Sequence, residues 1–353
     1  MPNDQLSMMR KILFGFLFLV VLAGIGAGVF LYRAKTVRSE FVGERVFHIE
    51  TNEDILSIAD RLESDGLVRS KWYFLWSAWR MGLRGNVQAG DFVISGKRTA
   101  SEVVATLLSE EGKPKEITIT FPEGWTAEKM AARLSANQFD GEQFLTLVKS
   151  PKEEWRDRFP VLETLPKGAA LEGFLFPDTY TFFLDATPED IIASMLRNFE
   201  KRFTSNLRAE AKRQGKSVFD IVIMASIVER EIGTANQAIE TIARDRKMVS
   251  DLFWRRLKNG QRLESDATLA YARGESKVQH SIEETRFNSP YNTYENAGLP
   301  PGPIANPGLL SLQSALFPEP NTFVFFLNNP ETGETFFAAT FEGHQRNKVR
   351  NGL

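Results

Sequence analysis

Cysteine is absent from this sequence of 353 residues. A chain without thiols has no disulfide framework and no cysteine nucleophile, and any zinc site would depend on histidine and carboxylate ligands. Histidine is scarce as well: His48, His280 and His344 lie far apart, and none of them forms an H-x-x-x-H pair. We therefore expect neither a metal centre nor a cofactor.

The chain also lacks an excess of charge of either sign. It has 43 basic and 45 acidic residues and a formal net charge of -2, which gives no electrostatic reason to expect a nucleic-acid partner. Hydrophobic residues make up 42% and charged residues 25%, values that are ordinary for a globular protein and allow a sizeable core. The length predicts two or more domains.

A single long apolar run lies near the N-terminus. Residues 12–32 contain no charged side chain, and a run of this length can span a bilayer as a helix. We expect a short cytoplasmic tail at 1–11, a transmembrane anchor at 12–32, and the remainder outside the cytoplasm. Basic residues flank both ends of the run, so the charges do not settle its orientation. A cleaved signal peptide is the alternative, because small residues are concentrated at 23–28.

Two stretches after the anchor share a strand–helix–helix pattern. Residues 33–45 are polar and predict a tether, a first unit follows at 46–112, and a similar pattern begins again within 116–167. Small units of this kind resemble LysM modules, which bind the glycan strands of cell walls. We predict a LysM-like subdomain at 46–112, and a second small α/β subdomain with its connector at 116–167. The alternative is that the units only form a stalk and clamp for the next domain.

The stretch from Ser217 to Gly233 predicts a buried helix that carries an acid. Ser217 and Asp220 have the spacing of a capping box, which marks a helix start. Gly233 stands where a helix C-terminus favours a residue with positive φ. The residues between are apolar on nearly all sides, so we expect the helix to lie in the interior.

Within this helix, Glu229 lies on the same stripe as Ala225 and Ser226 at 100° per residue. The small neighbours leave room for a substrate beside the carboxylate, whereas Glu231 faces the opposite side, between Met224 and Ile227. A carboxyl group held among apolar groups has a raised pKa and can stay protonated near neutral pH. A general acid for glycosidic cleavage needs this property. The alternative is a structural salt bridge to Arg230 or to a distant arginine.

Five prolines fall within residues 289–308, so this segment cannot form a regular helix or a central strand. We expect a stiff, irregular loop. Four of its polar side chains suit sugar recognition by hydrogen bonding and ring stacking: Tyr291, Asn292, Tyr294 and Asn306. A purely structural loop is the alternative.

These motifs together resemble the YceG-like (MltG-like) endolytic murein transglycosylases over nearly the whole chain. The carrying segments are FPEGWT at 121–126, EGFLFPDTY at 172–180, ASIVERE at 225–231, SDAT at 265–268 and SPYNTY…GLPPGPIANPG at 289–308. The resemblance implies an α+β protein with an N-terminal transmembrane helix, LysM-like units and a catalytic domain at 168–353. It also implies anchoring in the bacterial inner membrane, with the C-terminal part on the periplasmic or cell-wall side.

The resemblance further implies cleavage within nascent peptidoglycan strands, with Glu229, the first Glu of ASIVERE, as the catalytic acid. We assign support roles near the substrate to Ser226, Glu172, Asp266, Thr268 and Tyr271, together with the four side chains of the proline-rich loop. A peptidoglycan synthase is an expected partner by family analogy alone. Two alternatives stay open: a hydrolytic muramidase with Asp266 as second carboxylate, and a non-catalytic wall-binding or division scaffold.

Overall fold

The computed structural model divides the chain into two compact units, Met1–Lys115 and Glu116–Leu353. It describes residues 2–50, 53–83, 87, 90–109, 116–184, 186–233, 237–275, 281, 283–329 and 332–352, with side chains from residue 13 onward. The predicted subdomain end at 112 and His280 lie outside the described residues.

The first unit begins with a long helix, α1 (Pro2–Thr36). Within it, Leu13–Thr36 is long enough and apolar enough to cross a membrane, and the most apolar part of this span is not buried against the rest of the protein. The predicted apolar helix is therefore confirmed, and it continues slightly past the predicted end at residue 32.

The remainder of the first unit is a two-stranded antiparallel sheet covered by helices. Strand β1 (Glu44–Ile49) pairs with β2 (Gly90–Ser95), so that Val46 lies opposite Val93. Between the strands lie α2 (Ile55–Ser64) and α3 (Lys71–Met81), and α4 (Ala100–Leu108) follows. Alternate strand residues and one face of each helix form the unit's own core.

The second unit opens with the same order of elements. Strand β3 (Glu116–Thr120) pairs antiparallel with β4 (Thr179–Phe183). Three helices lie between them in sequence: α5 (Ala127–Ala136), α6 (Gly141–Lys149) and α7 (Glu154–Arg158). The predicted division between 116–167 and 168–353 is wrong, because this sheet crosses it and side chains from both sides share one hydrophobic core.

The rest of the second unit is largely helical. Its elements are α8 (Pro188–Arg202), α9 (Ser205–Arg213), α10 (Val218–Glu231), α11 (Ile239–Lys258), α12 (Asp266–Arg273), α13 (Leu309–Leu316), the hairpin β5 (Phe325–Asn328) and β6 (Thr335–Ala338), and α14 (Phe341–Arg350). Helix α10 packs against α9, α11, α12 and α13. The coarse α+β class is confirmed.

Helix α10 has the predicted start but a different end. The Ser217 amide donates to Asp220 Oδ2 at 3.0 Å and the Asp220 amide to Ser217 Oγ at 2.9 Å, which is a reciprocal capping box. All residues from 221 to 229 are buried, as predicted. The prediction that Gly233 ends the helix with positive φ is wrong: the helix ends at Glu231, and Ile232 is extended at φ -104°.

Side chains from other elements explain that ending. Asn328 Nδ2 donates to the carbonyl oxygen of Glu231 at 2.7 Å, and Arg246 Nη2 donates to that of Ile232 at 3.2 Å. Because these donors satisfy two carbonyls at the helix end, no left-handed glycine turn is needed there.

Candidate active site

Glu229 lies in the last turn of α10 with only 4% of its side chain exposed. Arg246 donates from Nη2 to Glu229 Oε1 at 2.6 Å and from Nη1 to Oε2 at 3.2 Å. The Gly308 amide also donates to Oε2, at 3.1 Å. The expectation of a carboxyl surrounded by apolar groups is therefore wrong. The structure instead contains the alternative, a salt bridge to a distant arginine.

Arg246 projects from α11 and has no exposed surface. Its position was missed by the sequence analysis, although a signal was available. Ile242 and Val249, four residues before it and three after, are both buried, so Arg246 interrupts the apolar stripe of an amphipathic helix. A cation at such a position requires a buried partner, because an unpaired charge in the interior is costly. Glu229 is that partner.

Glu123, in the turn between β3 and α5, is the second acid beside Glu229, and it too was missed. Its side chain is 46% exposed, and its Oε2 lies 4.0 Å from Arg246 Nη1. Both carboxylates thus face the same guanidinium nitrogen. Burial and the neighbouring Glu229 raise the pKa of Glu123, and Arg246 opposes that shift. The sequence signal is the FPEGWT segment itself, whose only acid is Glu123.

Two glycines bring the backbone close to this acid pair. Gly124 has φ +75° and donates its amide to the Asn306 carbonyl at 2.9 Å, and a Cβ there would lie 3.4 Å from Glu229 Cγ. A Cβ at Gly308 would overlap the Glu123 carboxylate. Gly124 therefore needs glycine for its conformation, whereas a side chain at Gly308 would force the Glu123 carboxylate to move.

The predicted room beside Ser226 is occupied by the protein. Ser226 is fully buried, donates to the Ile223 carbonyl at 2.7 Å and accepts from the Ile304 amide at 3.0 Å. The proline-rich loop therefore packs on the small face of α10. Ser226 supports that loop and does not face an open cleft.

Asn306 is a structural link, and its predicted sugar-recognition role is not supported by its surroundings. It is fully buried, and its Oδ1 accepts from the amides of Gly173 and Leu175 at 2.8 and 3.0 Å. Its Nδ2 donates to the Trp125 carbonyl at 3.0 Å and to Glu172 Oε1 at 2.6 Å. The side-chain amide thus ties three of the motif segments together.

Glu172 lies at the same junction, and its supporting role near the substrate stays a prediction. Its carboxylate accepts from the Ala127 amide at 3.0 and 3.2 Å, at the start of α5. Thr126 is the N-cap residue of α5 but makes no side-chain cap hydrogen bond. Glu172, which is distant in sequence, accepts the hydrogen bond from the amide at the helix start instead. Burial raises the pKa of Glu172 to about 8.

A separate hydrogen-bonded cluster lies on the other side of α10, around Glu231. The Glu231 carboxylate accepts from Ser265 Oγ and from the Ala267 amide at 3.3 Å, at the start of α12. Tyr294 donates its hydroxyl to Asp266 Oδ1 at 3.0 Å in the same group. Asp266 is therefore placed with Glu231, and the carboxylate next to Glu229 is Glu123.

The remaining predicted residues build the loop or line its surface. Thr268 and Asn292 are fully buried and bonded to the protein: Thr268 to Thr293 Oγ1 at 2.7 Å, Asn292 to the carbonyls of Thr285 and Phe287 at 2.9 and 2.7 Å. The rings of Tyr271 and Tyr291 are partly exposed, with centroids 5.0 Å apart. Sugar stacking on these two tyrosines stays a prediction.

Comparison with known proteins gives consistent matches. The sequence model of the YceG-like family matches residues 47–350. An endolytic murein transglycosylase of Bacillus subtilis (strain 168) is 30% identical over 317 residues, which cover 86% of this chain and 83% of that protein. One from Streptococcus pneumoniae serotype 2 (strain D39) is 29% identical over 322 residues, 85% of this chain and 57% of that protein.

A solved structure agrees with these matches. The 2.6 Å crystal structure of a YceG-like protein from Listeria monocytogenes is 30% identical, with a TM-score of 0.58. The match covers 87% of this chain and 100% of that one. The chain belongs to the YceG-like family.

Proposed function

We propose that this protein is an endolytic murein transglycosylase that cuts the β-1,4 bond between N-acetylmuramic acid and N-acetylglucosamine within glycan strands. Relatives of about 30% identity carry that name. The observation that carries the proposal is the position of Glu229: a buried carboxylate beside Gly124 and Gly308, with the half-exposed Glu123 next to it.

In the proposed reaction Glu229 acts first as general acid and then as general base. The protonated carboxyl gives its proton to the leaving glycosidic oxygen, and the muramoyl C6 hydroxyl bonds to the anomeric carbon. The carboxylate then takes the proton of that hydroxyl, which leaves a 1,6-anhydro end. No water is consumed, and the carboxyl returns to its starting protonation state.

Arg246 and the Gly308 amide stabilise the carboxylate form of Glu229 in this cycle. Their three hydrogen bonds to Glu229 are charge-assisted bonds to a carboxylate. They stabilise the stage after proton donation, when Glu229 must accept the C6 hydroxyl proton. Because both donors are fixed by buried structure, they need little reorganisation during the reaction.

Glu123 is the group that we propose to exchange the Glu229 proton with solvent before the cycle begins, so that Glu229 starts in the protonated form. It is half-exposed and so can exchange protons with solvent, and its raised pKa favours the protonated form. It also shares Arg246 with Glu229, so a proton on Glu123 removes one of two negative charges beside the guanidinium. In this arrangement the acid that exchanges protons with solvent, Glu123, is separate from the reacting acid, Glu229.

The same pair of acids supports a second candidate, a hydrolytic muramidase. Two carboxylates flanking the scissile bond are the usual requirement of glycoside hydrolysis. Glu123 now takes the place that Asp266 held in the sequence prediction, because it lies beside Glu229. In this version Glu123 would activate a water instead of exchanging a proton with Glu229.

We also propose that α1 inserts in the bacterial inner membrane as a single-pass anchor, with the C-terminal units on the periplasmic or cell-wall side. The apolar span Leu13–Thr36 supports insertion, and the cell-wall substrate requires this orientation. A reporter active only outside the cytoplasm, fused after Leu353, should be active. A peptidoglycan synthase remains a proposed partner, and the LysM-like character of the first unit remains a proposal.

Product analysis tests the proposed function. Uncrosslinked glycan strands are incubated with the purified protein, and the fragments are separated and weighed by mass spectrometry. Internal fragments with 1,6-anhydro ends support the transglycosylase. Reducing ends would support the muramidase, and intact strands would leave a non-catalytic wall-binding role.

A further inference from the structure

Helix α3 carries three tryptophans on one stripe. Trp72, Trp76 and Trp79 are spaced by four and three residues, so their side chains share a helix face. Trp72 is 62% and Trp79 64% exposed. The opposite face of the helix, with Phe74 and Ala78, is fully buried in the core of the first unit. The Trp stripe is therefore not needed for that core.

The same helix packs against the apolar helix α1. The ring of Phe30 meets that of Tyr73 edge-on, with centroids 5.2 Å apart, and Ala34 has no exposed surface. Phe30 belongs to the apolar span Leu13–Thr36. Contact with the last turns of that span places the first turn of α3, where Tyr73 lies, near the level where α1 would leave a bilayer.

Two basic side chains lie beside rings of the stripe, as expected for a helix at a bilayer surface. Arg80 Cζ lies 5.1 Å from the centre of the Trp76 ring, and Lys71 Nζ, which also bonds Asp60 Oδ1 at 2.5 Å, lies 5.6 Å from that of Trp72. Tryptophan is enriched where a membrane meets water, because its ring is apolar and its N–H is polar. Basic side chains nearby can reach lipid phosphates while their stems stay on apolar surface.

We propose that the stripe Trp72–Trp76–Trp79 lies in the headgroup region of the bilayer that holds α1, as a second membrane contact of the first unit. The proposal rests on the insertion of α1 and not on the transglycosylase activity. A glycan strand stacked on the same rings is the competing occupant. The lipid surface is favoured because the stripe lies on a helix that contacts the end of the apolar span directly.

The absence of cysteine allows a direct test by site-directed spin labelling. The full chain carries one introduced cysteine at a time, Trp72→Cys or Trp79→Cys, labelled with a nitroxide and reconstituted in vesicles of phosphatidylethanolamine and phosphatidylglycerol. Leu19→Cys, within the apolar span, is the buried reference. Lys201→Cys, on an exposed position of α8, is the aqueous reference. Collision rates with oxygen and with a water-soluble nickel chelate give the depth of each label.

We expect labels at 72 and 79 to lose most of their collisions with the nickel chelate relative to 201, with values between those at 201 and 19. Labels at 72 and 79 that match 201 while 19 is protected would overturn the proposal and leave the anchor in place. If the label at 19 is exposed to water as well, both the proposed Trp contact and the insertion of α1 are overturned. If 72 and 79 are protected only after glycan strands are added, the stripe binds glycan. Cleavage by the same variants tests the proposed function separately.

Discussion

Arg246 and Glu229 form a buried ion pair in which both terminal nitrogens of the guanidinium donate to the carboxylate. Neither side chain has more than 4% exposure. The pair joins α11 to the end of α10 and also holds the Ile232 carbonyl. The candidate catalytic acid is therefore held in position by an arginine from another helix, and the same contacts stabilise the fold.

The first prediction concerns the stability that depends on this pair. Arg246→Met leaves the Glu229 carboxylate buried without its cation, and breaking a buried pair in this way typically costs about 3–5 kcal/mol. Urea denaturation should show this loss in the free energy of unfolding. Adding Glu229→Gln should recover part of it, because the uncompensated charge is then gone.

A surface pair provides the matched comparison. Arg213 bonds Glu210 with 73% of its own side chain exposed, so Arg213→Met should destabilise the protein far less than Arg246→Met. Equal losses for the two arginine variants, or no recovery in the double variant, would contradict the assigned role of the buried pair.

The second prediction separates Glu123 from Glu229. Glu123→Gln should lower kcat/KM by roughly 10²–10⁴ with little change in stability, because the side chain is half-exposed. In the unaltered protein, kcat/KM should fall as pH rises through the raised pKa of Glu123. That limb of the pH profile should vanish in the variant. Glu128→Gln, an exposed acid on α5, is the control; a Glu123→Gln profile that keeps the limb would remove Glu123 from proton transfer.

The third prediction uses Glu172 and the pH dependence of stability. Its pKa is raised from an ordinary 4.5 to about 8 by burial. Between these values only the folded state keeps the proton, so the free energy of unfolding should fall as pH rises, by up to about 1.4 kcal/mol per pH unit. Below the lower value and above the upper one, this residue contributes no pH dependence. Denaturant melts from pH 4 to pH 9 should show a shallower slope for Glu172→Gln, and an unchanged slope would mean that another group titrates.

The fourth prediction concerns Gly308. Its φ of -76° is accessible to alanine, so any effect of Gly308→Ala is steric and not due to backbone strain. The added methyl would collide with the Glu123 carboxylate and displace it. We expect a loss of activity with a folded protein by circular dichroism. Gly343→Ala on α14, where a Cβ would only come within 3.4 Å of its nearest neighbours, should be tolerated; full activity of Gly308→Ala would mean that the position of Glu123 is unimportant.

Local patterns in the sequence predicted much of this fold. The capping box of Ser217 and Asp220 and the burial of α10 depend on residues a few positions apart, and they were found. The pairing of Arg246 with Glu229 and the approach of Glu123 depend on loops and helices that are distant in sequence. Spacing alone cannot report such contacts.

The errors have the same cause. Gly233 was expected to end α10, but Asn328 and Arg246 satisfy the last carbonyls. Asn306 was expected to face a sugar because it lies in a polar, proline-rich loop. Its amide is instead used completely by neighbouring backbone and by Glu172. Burial of a polar side chain in an irregular loop follows from tertiary packing, which composition does not reveal.

The most direct test of the account compares Glu229→Gln with Glu231→Gln on defined glycan strands. The amide introduced by Glu229→Gln would keep the shape of the side chain but could not transfer a proton. The cleavage rate should therefore fall by roughly 10⁴-fold or more, the upper end of the range for general acid–base catalysis. Glu231→Gln should be less stable, because Glu231 holds the start of α12, but should keep most of its activity once folded. Both rates are measured from anhydro-muramic ends by mass spectrometry. Near-normal cleavage by Glu229→Gln would contradict the central claim that this buried carboxylate carries the chemistry.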